Sequence, residues 1–175
     1  MKIIKINIKL SLILITTMLF VSLESVKAQG NLILNGTFDS DLSEWTTVGV
    51  VNWEPWYGGS ASLSGPSSSI SQTIYNLDVG TTYIVSGDYY SVDGWAPLNV
   101  SVDGFSQLYV ATSSWQSFSF SFTASSPTVT LSFLVDQKVI CSLDNISMFA
   151  VPEPNSLCLL GMGAASSLFF LRRRR

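Results

Sequence analysis

Residues 115–124 read WQSFSFSFTA. The aromatic residues Phe118, Phe120 and Phe122 alternate with serines, so an extended chain would carry one apolar face and one polar face. Residues 128–135 repeat this alternation with Val129, Leu131, Phe133 and Val135. A period of two predicts antiparallel strands that pack one face on a core and expose the other to water.

The same pattern extends through the central part of the chain, residues 29–150. The predicted strands cover residues 31–35, 47–53, 60–63, 69–75, 82–92, 98–102, 107–111, 115–124, 128–135 and 139–149. Turn signals such as Asp93-Gly94 and Asp103-Gly104 separate them, and no segment shows a helical period. The sequence therefore predicts an all-β domain built as an antiparallel two-sheet sandwich.

The N-terminal residues 1–28 differ from this domain. Three lysines (Lys2, Lys5 and Lys9) precede an uncharged, apolar run over residues 10–23. The sequence Val26-Lys27-Ala28 then offers apolar and small residues at a cleavage position. This order is typical of a secretory signal peptide, so we expect a signal helix that signal peptidase removes after Ala28.

The C-terminal residues 151–175 form a second targeting segment. Residues 155–171 carry no charge and predict a short transmembrane helix. A basic end follows, which the positive-inside bias would hold in the cytoplasm: Arg172, Arg173, Arg174 and Arg175. The domain between the two apolar segments is then expected to be exported through the inner membrane while the tail anchors it transiently.

The start of this tail has a recognisable order of parts. Val151, Pro152, Glu153 and Pro154, followed by an apolar helix and an arginine cluster, resemble the PEP-CTERM sorting signal of Gram-negative bacteria. The resemblance implies recognition by an exosortase-type membrane protease and cleavage near Pro-Glu-Pro. It also implies delivery to the cell surface or to the extracellular polysaccharide matrix.

Composition excludes several functions for the central domain. Ten acidic residues and one basic residue, Lys138, give residues 29–150 a charge of −9. We therefore expect no nucleic-acid partner, because the basic footprint is missing. The chain has no histidine, which excludes Ser-His-Asp triads and histidine zinc sites. Its two cysteines, Cys141 and Cys158, cannot build a disulfide framework.

The two ends of the domain carry another resemblance. Residues 31–45, NLILNGTFDSDLSEW, and residues 143–149, LDNISMF, are similar to the opening and closing of galactose-binding-like jelly rolls, which include many carbohydrate-binding modules. In that class an opening acidic residue and a closing aspartate often share a calcium ion. The matching residues are Asp39, where glutamate is common, and Asp144. The resemblance thus implies a jelly roll with one structural calcium ion.

Aromatic residues suggest a ligand surface. Residues 51–59, VNWEPWYGG, hold three aromatic side chains, and a fourth follows Asp93-Gly94; the candidate ligand-binding residues are Trp53, Trp56, Tyr57 and Trp95. Rings on loops can stack on the apolar faces of sugars, so we expect binding of extracellular polysaccharide. Burial in the core is the alternative, and it is the expectation for Trp45 and Trp115.

Catalysis has little support in the sequence. Paired carboxylates could hydrolyse glycosides, and Asp88 with Asp93 or Glu44 with Glu54 are the available pairs. Acidic residues in so acidic a domain are usually solvated surface charges, so we expect no catalytic residue. The sequence favours a non-catalytic binding or structural protein. The alternatives are a secreted carboxylate-dependent glycoside hydrolase and a purely structural matrix protein without a ligand.

Overall fold

The computed structural model describes residues 30–152, which fold into eight strands and one short 3-10 helix. The elements are β1 (Thr46–Glu54), η1 (Trp56–Gly58), β2 (Ser60–Ile74), β3 (Thr82–Ser91), β4 (Ala96–Val102), β5 (Phe105–Ala111), β6 (Gln116–Thr123), β7 (Val129–Val135) and β8 (Ile140–Ala150). The predicted all-β class is confirmed. The predicted signal peptide, Glu153 and Pro154 of the sorting motif, the transmembrane helix and the arginines at 172–175 lie outside the described residues. Within the described part, no helix is long and apolar enough to cross a membrane.

Two antiparallel sheets share the long strand β2. The strand order is β5-β4-β7-β2-β8-β3-β6, and β1 also pairs with β2. Residues 68–74 of β2 pair with β7, whereas residues 61–64 pair with β8. We call β5-β4-β7-β2 sheet A and β2-β8-β3-β6 sheet B. The predicted two-sheet jelly-roll sandwich is therefore confirmed, and the strands predicted at 60–63 and 69–75 are one strand that runs through both sheets.

The inner faces of the two sheets form the core. The alternating side chains predicted to face inward on β6 and β7 are all buried: Phe118, Phe120, Phe122, Val129, Leu131, Phe133 and Val135. Aromatic rings meet between the sheets, with Phe118 and Phe133 centroids 5.8 Å apart. Phe105 of β5 stacks on Phe120 of β6 at 4.2 Å, which nearly closes the sandwich along this side. Trp45 is buried, as predicted.

The segment predicted as a strand over residues 31–35 is not a regular strand. It lies beside the part of β8 that β2 leaves free, where Leu32 N–H donates to Met148 O; Gly36, the residue after the segment, accepts a second backbone bond from Ile146 N–H. The Asn31 side chain accepts a third bond from Met148 N–H at 2.9 Å. A side-chain oxygen thus replaces a backbone carbonyl, which interrupts the regular ladder.

Candidate functional site

A cleft of about 340 Å³ lies on the outer face of sheet B. Strands β1, β2, β3 and β8, together with η1 and the residue before β6, contribute its walls. The lining side chains are Glu54, Trp56, Ser60, Ser62, Tyr90, Val92, Trp115, Ile140 and Ser142. Because successive side chains of a strand point to opposite faces, β2 and β8 each supply two residues that are two positions apart. The cleft is therefore built by the strand alternation.

Strand register aligns part of the cleft floor in one row. Ser62 of β2 faces Ser142 of β8, and Ser142 faces Tyr90 of β3 on its other side. Short hydroxyl side chains leave room above the sheet and offer both a donor and an acceptor. The floor is thus polar, its serine side chains are short, and the ring of Tyr90 bounds it at one end.

Aromatic side chains stand at the edges of this floor. Trp56 lies on η1 and is 70% exposed, although it is one of the largest apolar side chains in the domain. The rings of Tyr90 and Trp115 pack together, with centroids 5.5 Å apart and planes at 30°. Such surfaces suit flat ligands that present an apolar face and hydroxyl groups on their rims. We call this feature the aromatic cleft.

The four predicted ligand-binding residues fall in different places. Trp56 lines the cleft. Trp53 is half-buried against the core, and its indole N–H donates to Phe38 O at 2.6 Å. Trp95 is 51% exposed in the turn between β3 and β4, outside the cleft lining. Tyr57 belongs to η1, but its side chain lies outside the described residues. Only Trp56 among the three described side chains therefore contacts the cleft.

Trp115 was expected in the core, and this expectation is wrong. It lies half-buried at the cleft against Tyr90. The reason is the alternation of β6. Trp115 is two and four positions from the outward-facing Ser117 and Ser119, so its side chain points outward and not inward like that of Phe118. The signal for an outward Trp115 was thus present in the sequence, whereas nothing local indicated that Tyr90 would lie beside it.

A carboxylate cluster lies on the same face as the cleft. Asp88 and Asp144 occupy paired positions on β3 and β8. The amide of Asn145 donates to Asp88 Oδ2 at 2.9 Å and to Asp144 Oδ2 at 3.3 Å. Burial raises the pKa of the Asp144 carboxyl above its ordinary value, and the Asn145 backbone N–H opposes that rise. The neighbouring carboxylates of Asp88 and Asp39 raise this pKa further.

The calcium ion implied for Asp39 and Asp144 fits these residues in part. The two carboxylates lie near enough to influence each other, and oxygen donors of this kind suit calcium. Within residues 30–152, however, no three side chains of the Asp, Glu, Cys or His type converge to hold a metal. Backbone carbonyls and water would have to complete the coordination. The calcium ion stays a prediction.

The carboxylates considered for glycoside hydrolysis lie before β1 and at its end (Glu44 and Glu54), on β3 (Asp88) and in the turn after β3 (Asp93). Glu44 lies two residues before β1 and Glu54 is its last residue, and an extended strand of this length spans roughly 26 Å. Inverting and retaining glycosidases hold their carboxyl groups within about 10 Å. Asp93 accepts a bond from Ile140 N–H at 2.9 Å, and Asp88 accepts one from Ser117 Oγ at 2.6 Å. Both of these carboxylates therefore have structural bonds.

The fold of the domain is that of carbohydrate-binding modules. A CBM4 structure is 23% identical and has a TM-score of 0.58, covering 68% of this chain and 99% of that chain. The CBM22-1 xylan-binding domain of Paenibacillus barcinonensis Xyn10C is 17% identical with a TM-score of 0.57, covering 74% and 100%. A family 16 carbohydrate-binding module is 21% identical with a TM-score of 0.55, covering 67% and 99%. At these identities the similarity establishes the jelly-roll fold.

Residues 150–175 match the PEP-CTERM protein-sorting motif. The resemblance drawn from Pro-Glu-Pro, the apolar run and the terminal arginines is thereby confirmed. Comparison with curated protein sequences gives no significant match. The chain is therefore an exported protein that combines a domain of the carbohydrate-binding-module fold with a C-terminal PEP-CTERM sorting motif.

Proposed function

We propose that the domain is a non-catalytic carbohydrate-binding module that holds a polysaccharide chain in the aromatic cleft. The observation that carries this proposal is the cleft itself, with Trp56 on one side, the Tyr90–Trp115 pair on another and a row of serines between them. Exposed aromatic side chains cost free energy in water, so their retention on one face favours a ligand-binding role.

The chemistry of the cleft matches a sugar chain. Aromatic faces bind the C–H faces of pyranose rings, and the hydroxyls of Ser62 and Ser142 can exchange hydrogen bonds with the sugar hydroxyls. The floor row of Ser62, Ser142 and Tyr90 runs across three neighbouring strands, so an internal stretch of a sugar chain could lie along it. One structural neighbour is the xylan-binding domain of Paenibacillus barcinonensis Xyn10C, which supports a polysaccharide as the ligand class.

The sorting motif supports the proposal that binding occurs outside the cell. We infer that an exosortase-type protease of a Gram-negative bacterium cleaves the tail near Pro152 after the tail has held the protein briefly in the inner membrane. The released domain would then act at the cell surface or in the exopolysaccharide matrix. Its −9 charge keeps it soluble there and disfavours adhesion to acidic surfaces.

Affinity electrophoresis tests the binding. The protein purified from its host would be run through gels containing xylan, β-glucan, galactan, mannan or chitin-derived glycan, and we expect at least one to retard it. Trp56→Ala and Tyr90→Ala should each weaken that retardation by about tenfold or more, as for aromatic residues at the centre of an interface.

Trp95→Ala is the matched control, because Trp95 is an exposed tryptophan outside the cleft lining. Its retardation should equal that of the wild type if the cleft is the site. A loss with Trp95→Ala instead would move the site to the β3–β4 turn. Unretarded migration of the wild type in every gel would defeat the proposal and favour a structural matrix protein.

A further inference from the structure

Acidic side chains dominate the surroundings of the aromatic cleft. Glu54 lines the cleft, and no hydrogen bond or ion pair from residues 30–152 holds its carboxylate. Asp88 precedes the lining residue Tyr90 by two positions on β3, so both point to the same outer face. Asp144 follows the lining residue Ser142 by two positions on β8. The cleft therefore lies between carboxylates.

The far end of the cleft is no less acidic. Asp93 adjoins the lining residue Val92, and its carboxylate accepts the N–H of Ile140. Lys138, the single basic residue of the domain, lies two positions from Ile140 and equally close along the chain to Asp136. Glu54 thus lines the cleft, three more carboxylates and one lysine lie within two positions of lining residues along the chain, and these groups together carry a net negative charge.

We propose that the cleft selects uncharged glycan chains and rejects chains that carry uronate or other acidic groups. This inference rests on the proposed glycan-binding function and adds a specificity to it. A ligand carboxylate in the cleft would approach Glu54 with little water between them, and like charges brought together at an interface are strongly unfavourable. Residues 30–152 contain no arginine that could pair with such a group.

Matched ligands test the charge dependence. The neutral glycan that retards the protein most would be compared with its carboxymethyl and hydroxyethyl derivatives at equal, low substitution. The two added groups are similar in size and differ in charge. At low ionic strength the carboxymethyl form should bind at least about fivefold more weakly than the hydroxyethyl form, and added salt should narrow the difference because it screens charge.

Single substitutions identify which carboxylate weakens binding of the carboxymethyl derivative. Glu54→Gln should lower the ratio of hydroxyethyl to carboxymethyl binding by at least about twofold, and any change in affinity for the shared sugar chain cancels in that ratio. Asp78→Asn removes the same charge from the β2–β3 loop and should leave that ratio unchanged. Equal binding of the two derivatives by the wild type would overturn the selectivity. Failure to bind even the neutral glycan would instead refute the glycan-binding function itself.

Discussion

Individual side chains explain why the opening sequence NLILNGTFDSDLSEW is recognisable. The Asn35 amide donates to Asp41 O at 3.1 Å and to Ser43 O at 3.0 Å, which closes the loop before β1. The indole N–H of Trp45 donates to Asn35 O at 3.0 Å. Phe38 is fully buried, with its ring 5.4 Å from that of Trp45. We call residues 31–45 the clasp, because their hydrogen bonds and ring contacts fix the loop before β1. None of them lines the cleft.

Gly36 gives the first test of this clasp. A Cβ at this position would collide with the backbone carbonyl of Ile146, and the N–H of the same residue donates to Gly36 O. Gly36→Ala should lower the free energy of unfolding by about 1–3 kcal/mol or more, because two backbones must separate. Urea denaturation measures the change. Gly30→Ala, where a Cβ meets nothing within 4 Å, is the control and should be nearly neutral.

Asp144 gives a second test, one that depends on calcium. Because burial raises its pKa in the folded protein, the folded state binds the proton more readily than the unfolded state. Stability therefore falls as pH rises from the ordinary value of 3.8 through the raised pKa of Asp144. In EDTA at pH 7, Asp144→Asn should raise the thermal midpoint, by up to about 5 °C.

If calcium binds at Asp39 and Asp144, it should make the thermal midpoint of the wild type higher than that of the Asp144→Asn variant. Added Ca²⁺ would then raise the midpoint of the wild type and leave the Asp144→Asn variant unchanged, since ligand binding stabilises only the state that binds. Scanning calorimetry of both proteins in EDTA and in Ca²⁺ distinguishes the cases. Identical wild-type curves in the two buffers would remove the structural calcium ion.

At the level of strands, the sandwich depends on contacts between the two sheets. The ring of Phe133 on β7 lies 5.8 Å from that of Phe118 on β6 and 6.1 Å from that of Trp45. These residues lie far apart in sequence, so their packing fixes how sheets A and B face each other. The long β2 connects the sheets covalently and passes between them at residues 65–67, where its pairing with β8 ends and its pairing with β7 has not begun.

Phe133→Ala tests this packing. Loss of a fully buried ring should lower the free energy of unfolding by about 3–5 kcal/mol, as in other cores. Leu134→Ala, on the opposite face of the same strand and only half-buried, should cost much less. Chemical denaturation of both variants provides the measurement. Equal losses would mean that the two faces of β7 are buried to a similar extent, contrary to the sandwich.

For the complete chain, the important property is the order of its parts. β8 ends at Ala150, and Val151 N–H still donates to Thr82 O at 2.8 Å on β3. Pro152, the next residue, is exposed. The sorting motif thus begins directly where the folded domain ends. A protease acting there meets an accessible proline without unfolding β8.

Processing at both ends can be measured on the protein from its own host. Mass spectrometry should show a mature chain that begins at Gln29 and ends near Pro154, without the arginines at 172–175. Removal of the exosortase-type protease should leave the C-terminal segment attached while the N-terminus stays trimmed. A mature protein that retains its full C-terminal segment in the unmodified host would contradict the proposed processing.

The sequence alone determined which face of β6 and of β7 is buried, because alternation along a strand needs no knowledge of its neighbours. It likewise determined the β class and the sorting motif, and it showed that residues 31–45 resemble a jelly-roll opening, because these signals are local. It placed Trp56 among ligand candidates through a loop-like, Pro- and Gly-containing setting. These features share one physical property: each depends on residues close together in the chain.

Only the tertiary structure decided which strands are neighbours. Ser62, Ser142 and Tyr90 form one row because register joins residues separated by up to eighty positions, as Ser62 and Ser142 are. The same register puts Trp115 beside Tyr90 and merges two predicted strands into β2. Register is set by the fit of buried side chains across the core, and that fit is a property of all the strands together.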